Sequence, residues 1–270
     1  MPHSRARFGT RPRLCDRYGP AALVTGASDG IGRAFARRLA EAGFDLILVA
    51  RREVALAELA HELRSHHAID GQVLAADLSD GEQVRRVAKA TAGHDVGLLI
   101  AAAGYGTSGP FIDGDLEAEL SMIDVNCRAL AQLTHTFARR FVERGRGGIV
   151  LMSSLVAFQG VPRAANYAAT KAYVQTLAEG LHAELRSHGV DVLASAPGPV
   201  LSGFGQRAAM RITSGQTPDD VAVGSLHALG RRTTVRPGFL AKALETGLKP
   251  LPRPGRVLMM GKVMAGMTAR

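Results

Sequence analysis

From residue 21 onward, short runs of continuous apolar residues alternate with stretches in which apolar positions recur every three or four residues. The runs at 21–25, 45–50, 72–75, 96–101, 148–152 and 190–196 have the length of strands and show no strict polar alternation, so each predicts a strand covered on both faces. Between them, 31–42, 54–65, 80–90, 115–142 and 164–185 carry helical spacing. In the first of these, Ile31, Phe35 and Leu39 share one face and Gly43 supplies the stop. Asp115 caps the long helix that runs through Asn126 to Val142, and Thr217-Pro218-Asp219-Asp220 opens another with a cap, a Pro and early acids. This alternation predicts an α/β fold, a single doubly wound parallel sheet with helices on both faces. Beyond Arg231 the pattern thins. Phe239, Leu240, Leu244 and Leu248 form one helical stripe, and 257–267 is a Met-rich stretch whose helical reading is weakened by Gly261 and Gly266.

Composition refines this picture without changing it. The chain has 270 residues, enough for one large domain with a full two-sided core, and no Pro/Ser-rich linker divides it. No apolar run approaches eighteen residues, and the first residues lack a signal-peptide pattern. With only Cys15 and Cys127 available, a reducing, cytoplasmic location is the simpler expectation. The net charge of +9 resides in the ends: residues 1–18 carry five Arg against Asp16, and 231–270 carry nine Lys or Arg against Glu245. The centre is therefore mildly acidic. No aromatic platforms interleave with the terminal Arg residues, so solvated basic ends are expected rather than a nucleic-acid partner. These features divide the chain into a poorly ordered basic tail (1–17), the α/β domain (18–248) and a basic, Met-rich extension (249–270). The extension can close over a cleft, join two subunits or lie on an anionic membrane; cleft or subunit contact is the milder reading.

The chemistry concentrates between Ser154 and Lys171. Ser154 follows a strand end, while Tyr167 and Lys171 lie four apart on one helix face. A free phenol, with a pKa of about 10, is a poor acid or base at neutral pH, and a fixed ammonium nearby lowers that value. A three-unit shift requires about 4 kcal/mol of differential stabilisation, so a second positive charge is wanted, and an oxidised nicotinamide ring would supply it. Ser153 is as near the strand end as Ser154; only the spacing to Tyr167 selects between them. Tyr173 has no Lys four residues later and reads as a packing residue. The nine His show no HExxH or Cys-paired spacing, so no metal site is expected.

A second motif, Thr25-Gly26-Ala27-Ser28-Asp29-Gly30-Ile31-Gly32, joins the first strand to the first helix. Its glycines permit a tight turn and close backbone approach, and the helix N-terminus offers N–H groups to a pyrophosphate. The second strand ends Val49-Ala50-Arg51-Arg52, with no carboxylate to accept both ribose hydroxyls. Arg51 can instead offer a planar fork to a 2′-phosphate; Arg52 either shares that contact or begins a solvated helix face. NADPH/NADP+ is therefore expected over NADH.

Together, the glycine motif and a Ser thirteen residues before Tyr-x-x-x-Lys resemble the short-chain dehydrogenase/reductase family over roughly residues 18–238. The resemblance implies a single Rossmann-like domain with about seven parallel strands. It also implies that Tyr167 is the acid/base, that Ser154 polarises the substrate oxygen, and that Lys171 binds the nicotinamide ribose. Asn126, by itself an ordinary mid-helix polar residue, matches the position that holds a water in a proton relay. Asp77-Leu78 match the pair beside adenine, Ala103-Gly104 lie in the turn after the fourth strand, and Pro197-Gly198 with Val200 match the segment over the nicotinamide. One departure is that Ala101-Ala102-Ala103-Gly104 stands where the family usually has Asn-Asn-Ala-Gly. Asp29 occupies a loop position at which family members preferring NADPH often carry a base.

The expected activity is reversible reduction of a ketone or aldehyde, with local similarity to the 3-ketoacyl and steroid reductase branch. A homodimer or homotetramer is expected. The competing reading is a dinucleotide-sensing protein without turnover, whose mark would be a lost Ser, Tyr or Lys; all three are present.

Overall fold

A computed structural model describes residues 14–238, 247 and 250–268. Its seven strands are β1 (Ala21–Thr25), β2 (Asp45–Ala50), β3 (Gly71–Ala75), β4 (Val96–Ala101), β5 (Gly147–Met152), β6 (Val190–Ser195) and the two-residue β7 (Thr234–Val235). All pair in parallel in the order β3-β2-β1-β4-β5-β6-β7. Helices α1 (Leu14–Tyr18), α2 (Gly30–Glu41), α3 (Glu53–His67) and α4 (Gly81–Ala90) belong to the first half. Helices α5 (Leu116–Ile123), α6 (Leu130–Arg144), α7 (Ala165–Leu185), α8 (Phe204–Arg207), α9 (Pro218–Ala228) and α10 (Arg253–Met267) follow.

Strand residues alternate between two cores because successive side chains point to opposite faces. Val24, Leu48, Ile100 and Val150 pack with Phe35 and Leu39 of α2, Leu59 of α3 and Val221 of α9. Leu23, Val49, Leu99 and Leu151 face the other way, against Val84 of α4, Phe137 and Phe141 of α6, and Val174 of α7. Continuous apolar runs are thus required of every central strand.

The expected elements form within a residue or two of their predicted bounds, and the caps behave as their chemistry directs. Asp80 accepts from Glu82 N at 2.8 Å and Asp115 from Glu117 N at 3.2 Å. Thr217 and Asp220 complete a reciprocal capping box at α9. The helix after Asp115 departs from a regular spiral: Asp124–Ala129 is a π-helical segment between α5 and α6, and it contains Asn126. Such wide turns displace a helix face locally and are concentrated at functional positions.

Three expectations need correction. The poorly ordered tail extends too far at residue 17, because α1 is anchored: Tyr18 is buried and its hydroxyl donates to Asp191 at 2.9 Å, while Arg17 pairs with the same carboxylate at 2.6 Å. Tyr173 is 44% exposed rather than packed, since it lies two residues past Lys171 and so on the far side of α7. The Met-rich extension is a continuous helix, α10, despite its glycines. The stripe at Phe239, Leu240, Leu244 and Leu248 lies outside the described residues. Among the described residues no helix is long and apolar enough to cross a membrane.

The docking of α1 depends on Gly97 in β4. A Cβ there would overlap the Tyr18 carbonyl, which also accepts from Arg144 at 3.0 Å. Gly97→Ala is expected to destabilise the fold by about 3 kcal/mol, the upper end for overpacking, and to lower Tm by roughly 6–10 °C. Gly93→Ala, whose Cβ meets nothing within 4 Å, serves as the control and should leave Tm unchanged. Equal melting of the two variants would show that this contact can relax.

Candidate active site

Strand order reverses between β1 and β4, so the connections leaving their C-terminal ends diverge and open a crevice. The turn after β1 lines one side. Gly26 (φ +69°) and Gly30 (φ +52°) occupy the left-handed region, and a Cβ on Gly32 would overlap the Gly26 carbonyl. Asp29 caps α2 by accepting from Gly30 N at 2.7 Å. The turn after β4 lies against the first: a Cβ on Gly26 would sit 2.9 Å from Ala103 N. Thr25 joins the two, its hydroxyl accepting from Ala103 N at 3.0 Å and donating to Ile100 O at 3.4 Å. Backbone and Thr25 therefore hold the path of Ala101-Ala102-Ala103 without the two amide side chains.

The crevice continues into a cavity of about 700 Å³. Every residue singled out from the sequence for catalysis or cofactor contact lines it, with the exception of Asn126, which is buried just behind. Ser154 and Ser153 are separated by orientation. Ser153 is buried and donates to Lys171 O at 3.2 Å, whereas the half-buried Ser154 hydroxyl accepts from Val156 N at 3.4 Å and neighbours the Tyr167 phenol. Lys171 lies beneath Tyr167 with Nζ 5.8 Å from the ring centroid, and it donates to Met152 O at 2.8 Å. The Asn126 amide accepts from Tyr105 N at 3.1 Å and donates to Tyr105 O (2.9 Å) and Thr170 Oγ1 (3.0 Å). With both N–H groups committed, this side chain clamps the loop after β4 to α7.

The electrostatics differ from the sequence expectation. Burial raises the Tyr167 phenol to about 12, and the neighbouring Ser154 hydroxyl only partly opposes it. Burial also lowers the Lys171 ammonium to about 8. Desolvation disfavours the charged form of each group, and it exceeds the downward pull on the phenol expected of Lys171.

The adenosine side fits a dinucleotide. Gly26, Gly30 and Gly32 line the cavity with backbone alone, and the N-terminus of α2 begins among them. Arg51, exposed at the end of β2, lines the cavity. Arg52 reaches the glycine turn, donating to Ser28 O at 3.1 Å and Ser28 Oγ at 3.3 Å, so it is more than a solvated helix residue. Asp77 uses its carboxylate to accept from Ser79 N (3.0 Å) and Ser79 Oγ (2.8 Å), shaping the turn into α4.

The other wall of the cavity comes from Phe204 and its neighbours and from the C-terminal extension, for which cleft contact was one of the two milder expectations. Phe204 packs on Tyr167 with centroids 5.5 Å apart. Met260 and Met264 of α10 are buried with Tyr167, Ala164 and Met122, and Val263 and Met267 also line the space. Of the destinations open to the Met-rich extension, the cleft is therefore occupied. Its Met content was the available signal, but its position depends on distant partners: Arg211 N donates to Met267 O at 2.7 Å and Arg163 to Thr268 Oγ1 at 2.7 Å.

A doubly wound sheet, a glycine-rich first turn and a buried Tyr-Lys pair in one crevice define a dinucleotide-dependent oxidoreductase. The sequence profile described as short chain dehydrogenase matches residues 20–211. The chain is 30% identical to 7beta-hydroxysteroid dehydrogenase of Clostridium sardiniense, over 93% of this chain and 98% of that one. It is 39% identical to a very-long-chain 3-oxoacyl-CoA reductase of Podospora anserina, over 68% of this chain and 56% of that protein's length. A solved short-chain dehydrogenase from Sphingobium yanoikuyae, in complex with NADPH, superimposes with a TM-score of 0.77 at 32% identity, covering 86% of this chain and 94% of its own. The chain belongs to the short-chain dehydrogenase family, whose members are NAD(P)-binding oxidoreductases acting on CH–OH and C=O groups.

The burial of Lys171 has a measurable consequence. As pH rises through about 8, Lys171 should pass from ammonium to neutral amine while Tyr167 stays protonated. An NMR titration of the lysine side-chain resonances, with Lys171 assigned by its loss in Lys171→Arg, should show one lysine with a midpoint near 8. If every lysine titrates at its ordinary value, the ammonium is solvated.

Proposed function

We propose that the protein is an NADPH-dependent reductase of bulky, apolar ketones or aldehydes, also able to oxidise the corresponding alcohols. The observation that carries this reading is the convergence of Ser154, Tyr167 and Lys171 in one cavity with the glycine-rich turn and Arg51. When bound, the reduced nicotinamide supplies hydride to the carbonyl carbon. The Ser154 hydroxyl donates to the carbonyl oxygen and orients it. Tyr167 then gives its proton to the oxygen as negative charge develops there. A phenol held near 12 is fully protonated at neutral pH, which suits an acid in the reductive direction. Lys171, placed under the ring by Met152 O, stabilises the phenolate that remains and would hold the nicotinamide ribose of a bound dinucleotide. Asn126 acts through the loop and helix it holds, which seats Tyr105, Gly104 and Thr170 around the reacting groups.

The preference for NADPH rests on the end of β2, where Arg51 and Arg52 stand and no carboxylate is present to accept ribose hydroxyls. The NADPH-bound relative from Sphingobium yanoikuyae is consistent with this preference. An apolar substrate is supported by Leu155, Val156, Phe204, Met210, Ile212 and Met264 around the open side of the cavity. Among alternatives inside this class, a steroid or 3-ketoacyl group fits that wall, and both appear in the names of the relatives above. A homodimer or homotetramer in the cytoplasm belongs to the same reading. Free Cys15 and Cys127 support the location. A sensing protein without turnover would have no need of Ser154, Tyr167 and Lys171 together; NADPH oxidation with any member of a ketone, aldehyde and 3-ketoacyl thioester panel excludes it.

Tyr167→Phe and Ser154→Ala should each retain dinucleotide binding and lose at least about a hundredfold in kcat, the scale of general acid catalysis. Ser153→Ala should stay within a few-fold of the parent, because its hydroxyl faces the α7 backbone. Near-parental turnover by Tyr167→Phe would overturn the mechanism.

Steady-state kinetics with both cofactors should show kcat/KM for NADPH more than tenfold above that for NADH. Arg51→Ala should erode this ratio most. Equal use of the two dinucleotides would mean that Arg51 does not reach the 2′-phosphate.

A further inference from the structure

The cleft contains one ion pair that the reaction does not use. Arg207, the last residue of α8, donates to Asp29 Oδ2 at 2.9 Å across 178 residues of chain. Both side chains line the cavity and are about half exposed. The approach is built into the backbone: a Cβ on Gly203 would lie 2.5 Å from Asp29 Oδ2 and 3.0 Å from Arg207 Nη1, and one on Gly30 would lie 3.2 Å from Ser202 Cβ. The segment 202–207 is therefore seated directly on the glycine-rich turn. At its other end, Phe204 packs against Tyr167, so one short helix touches both the cofactor turn and the reacting side chain.

The charges give this contact a purpose. Asp29 and Asp77 are the acids that line the cavity among the described residues, and Asp77 is occupied by Ser79. Asp29 lies on the glycine-rich turn beside Arg52, which follows the end of β2, so an unpaired carboxylate there would weigh most against the added 2′-phosphate of NADPH, while the pyrophosphate common to both dinucleotides is still met by the α2 N–H groups. Arg207 bonds that carboxylate and Arg52 lies beside it. Burial works against the carboxylate, but the Arg207 hydrogen bond, the Gly30 N–H and the charge of Arg52 outweigh it and hold the Asp29 carboxyl below its ordinary value.

We propose that Arg207 is a cofactor-specificity and positioning residue: by pairing with Asp29 it removes the charge that would disfavour a 2′-phosphate and clasps α8 to the glycine-rich turn. This rests on the NADPH reading, deepening it with a residue outside the β2 end. Its distinguishing consequence is that the harm done by losing Arg207 comes from Asp29 left behind.

The test is a binding cycle, read by dinucleotide fluorescence titration at low salt, with NADPH and NADH compared in the parent, Arg207→Ala, Asp29→Asn and the double variant. Asn preserves the helix cap. Arg207→Ala should raise Kd for NADPH about fivefold, the scale of a half-exposed ion pair, with less than a twofold change for NADH. The double variant should return NADPH to within twofold of the parent, and Arg207→Lys should keep most of the affinity. Equal weakening toward both dinucleotides, no change at all, or no rescue by Asp29→Asn would overturn the proposal. A parent that prefers NADH would overturn the NADPH reading instead, because the shift in the ratio on Arg207→Ala is measured whichever dinucleotide binds better.

Discussion

Gly26 approaches Ala103 so closely that a methyl on it would lie 2.9 Å from that residue's nitrogen, and Thr25 bridges the two turns through its hydroxyl. This close approach at the divergence of β1 and β4 sets the depth of the crevice. A wider gap would leave the α2 N-terminus too far from the turn after β4 for one extended ligand to touch both. Gly104 repeats the constraint one step further in, where a Cβ would meet Asn126 Oδ1 at 2.9 Å and Lys171 Nζ at 3.3 Å. The backbone of the β4 turn is thus threaded between the glycine-rich turn and the Lys171 pocket. A Cβ is excluded at Gly26 and at Gly104, so these two glycines fix the close approach on either side of the turn.

The same tight packing governs the acid-base chemistry. Excluding water from Tyr167 and Lys171 costs both charged forms, leaving a protonated phenol and an easily deprotonated ammonium. An acid that retains its proton until charge develops on its substrate is suited to reduction. In the proposed oxidation direction the same phenol needs added positive charge before it can act as a base, and a positively charged nicotinamide is the kind of group that supplies it. The protein therefore leaves part of the electrostatics to be completed on binding, and the direction of the reaction is coupled to the redox state of the dinucleotide.

Legibility in the sequence followed the range of the interactions. The glycine turn, the Ser-Tyr-Lys spacing and the strand runs are local, and each came to its expected place because adjacent residues alone determine the geometry. Ser153 and Ser154 could be separated by spacing only, and the structure separates them by orientation, one toward the α7 backbone and one toward Tyr167. The π-helical segment around Asn126 leaves no mark in apolar periodicity, because a single wide turn shifts the register by less than the pattern resolves. Strand β7 was missed for a related reason: two residues, Thr234 and Val235, carry no periodicity, and only pairing with β6 makes them a strand. The helix α1 hid behind a basic tail, since its stability comes from Asp191, 174 residues away from Arg17.

The wall opposite the glycine turn was legible only as one of several destinations for the Met-rich extension, and its composition shows why it differs in kind from the rest of the site. The dinucleotide side is made of backbone approaches that permit little substitution. The opposite wall is made of Phe204 on the short α8, Met210 in a single bridge to Thr268, and Met260, Met264 and Met267 on the terminal α10. Methionine is unbranched and polarizable, so such a wall can follow apolar ligands of different outline at small cost. Rigid backbone on one side and adaptable side chains on the other divide the labour of the cleft: the first keeps the reacting atoms in register, and the second accepts the shape presented to it. Helix α8 joins the two halves, with Arg207 on the glycine turn and Phe204 on Tyr167. A shift of α8 that moves Phe204 therefore bears on the Asp29–Arg207 contact as well, since both contacts are carried by the same four-residue helix.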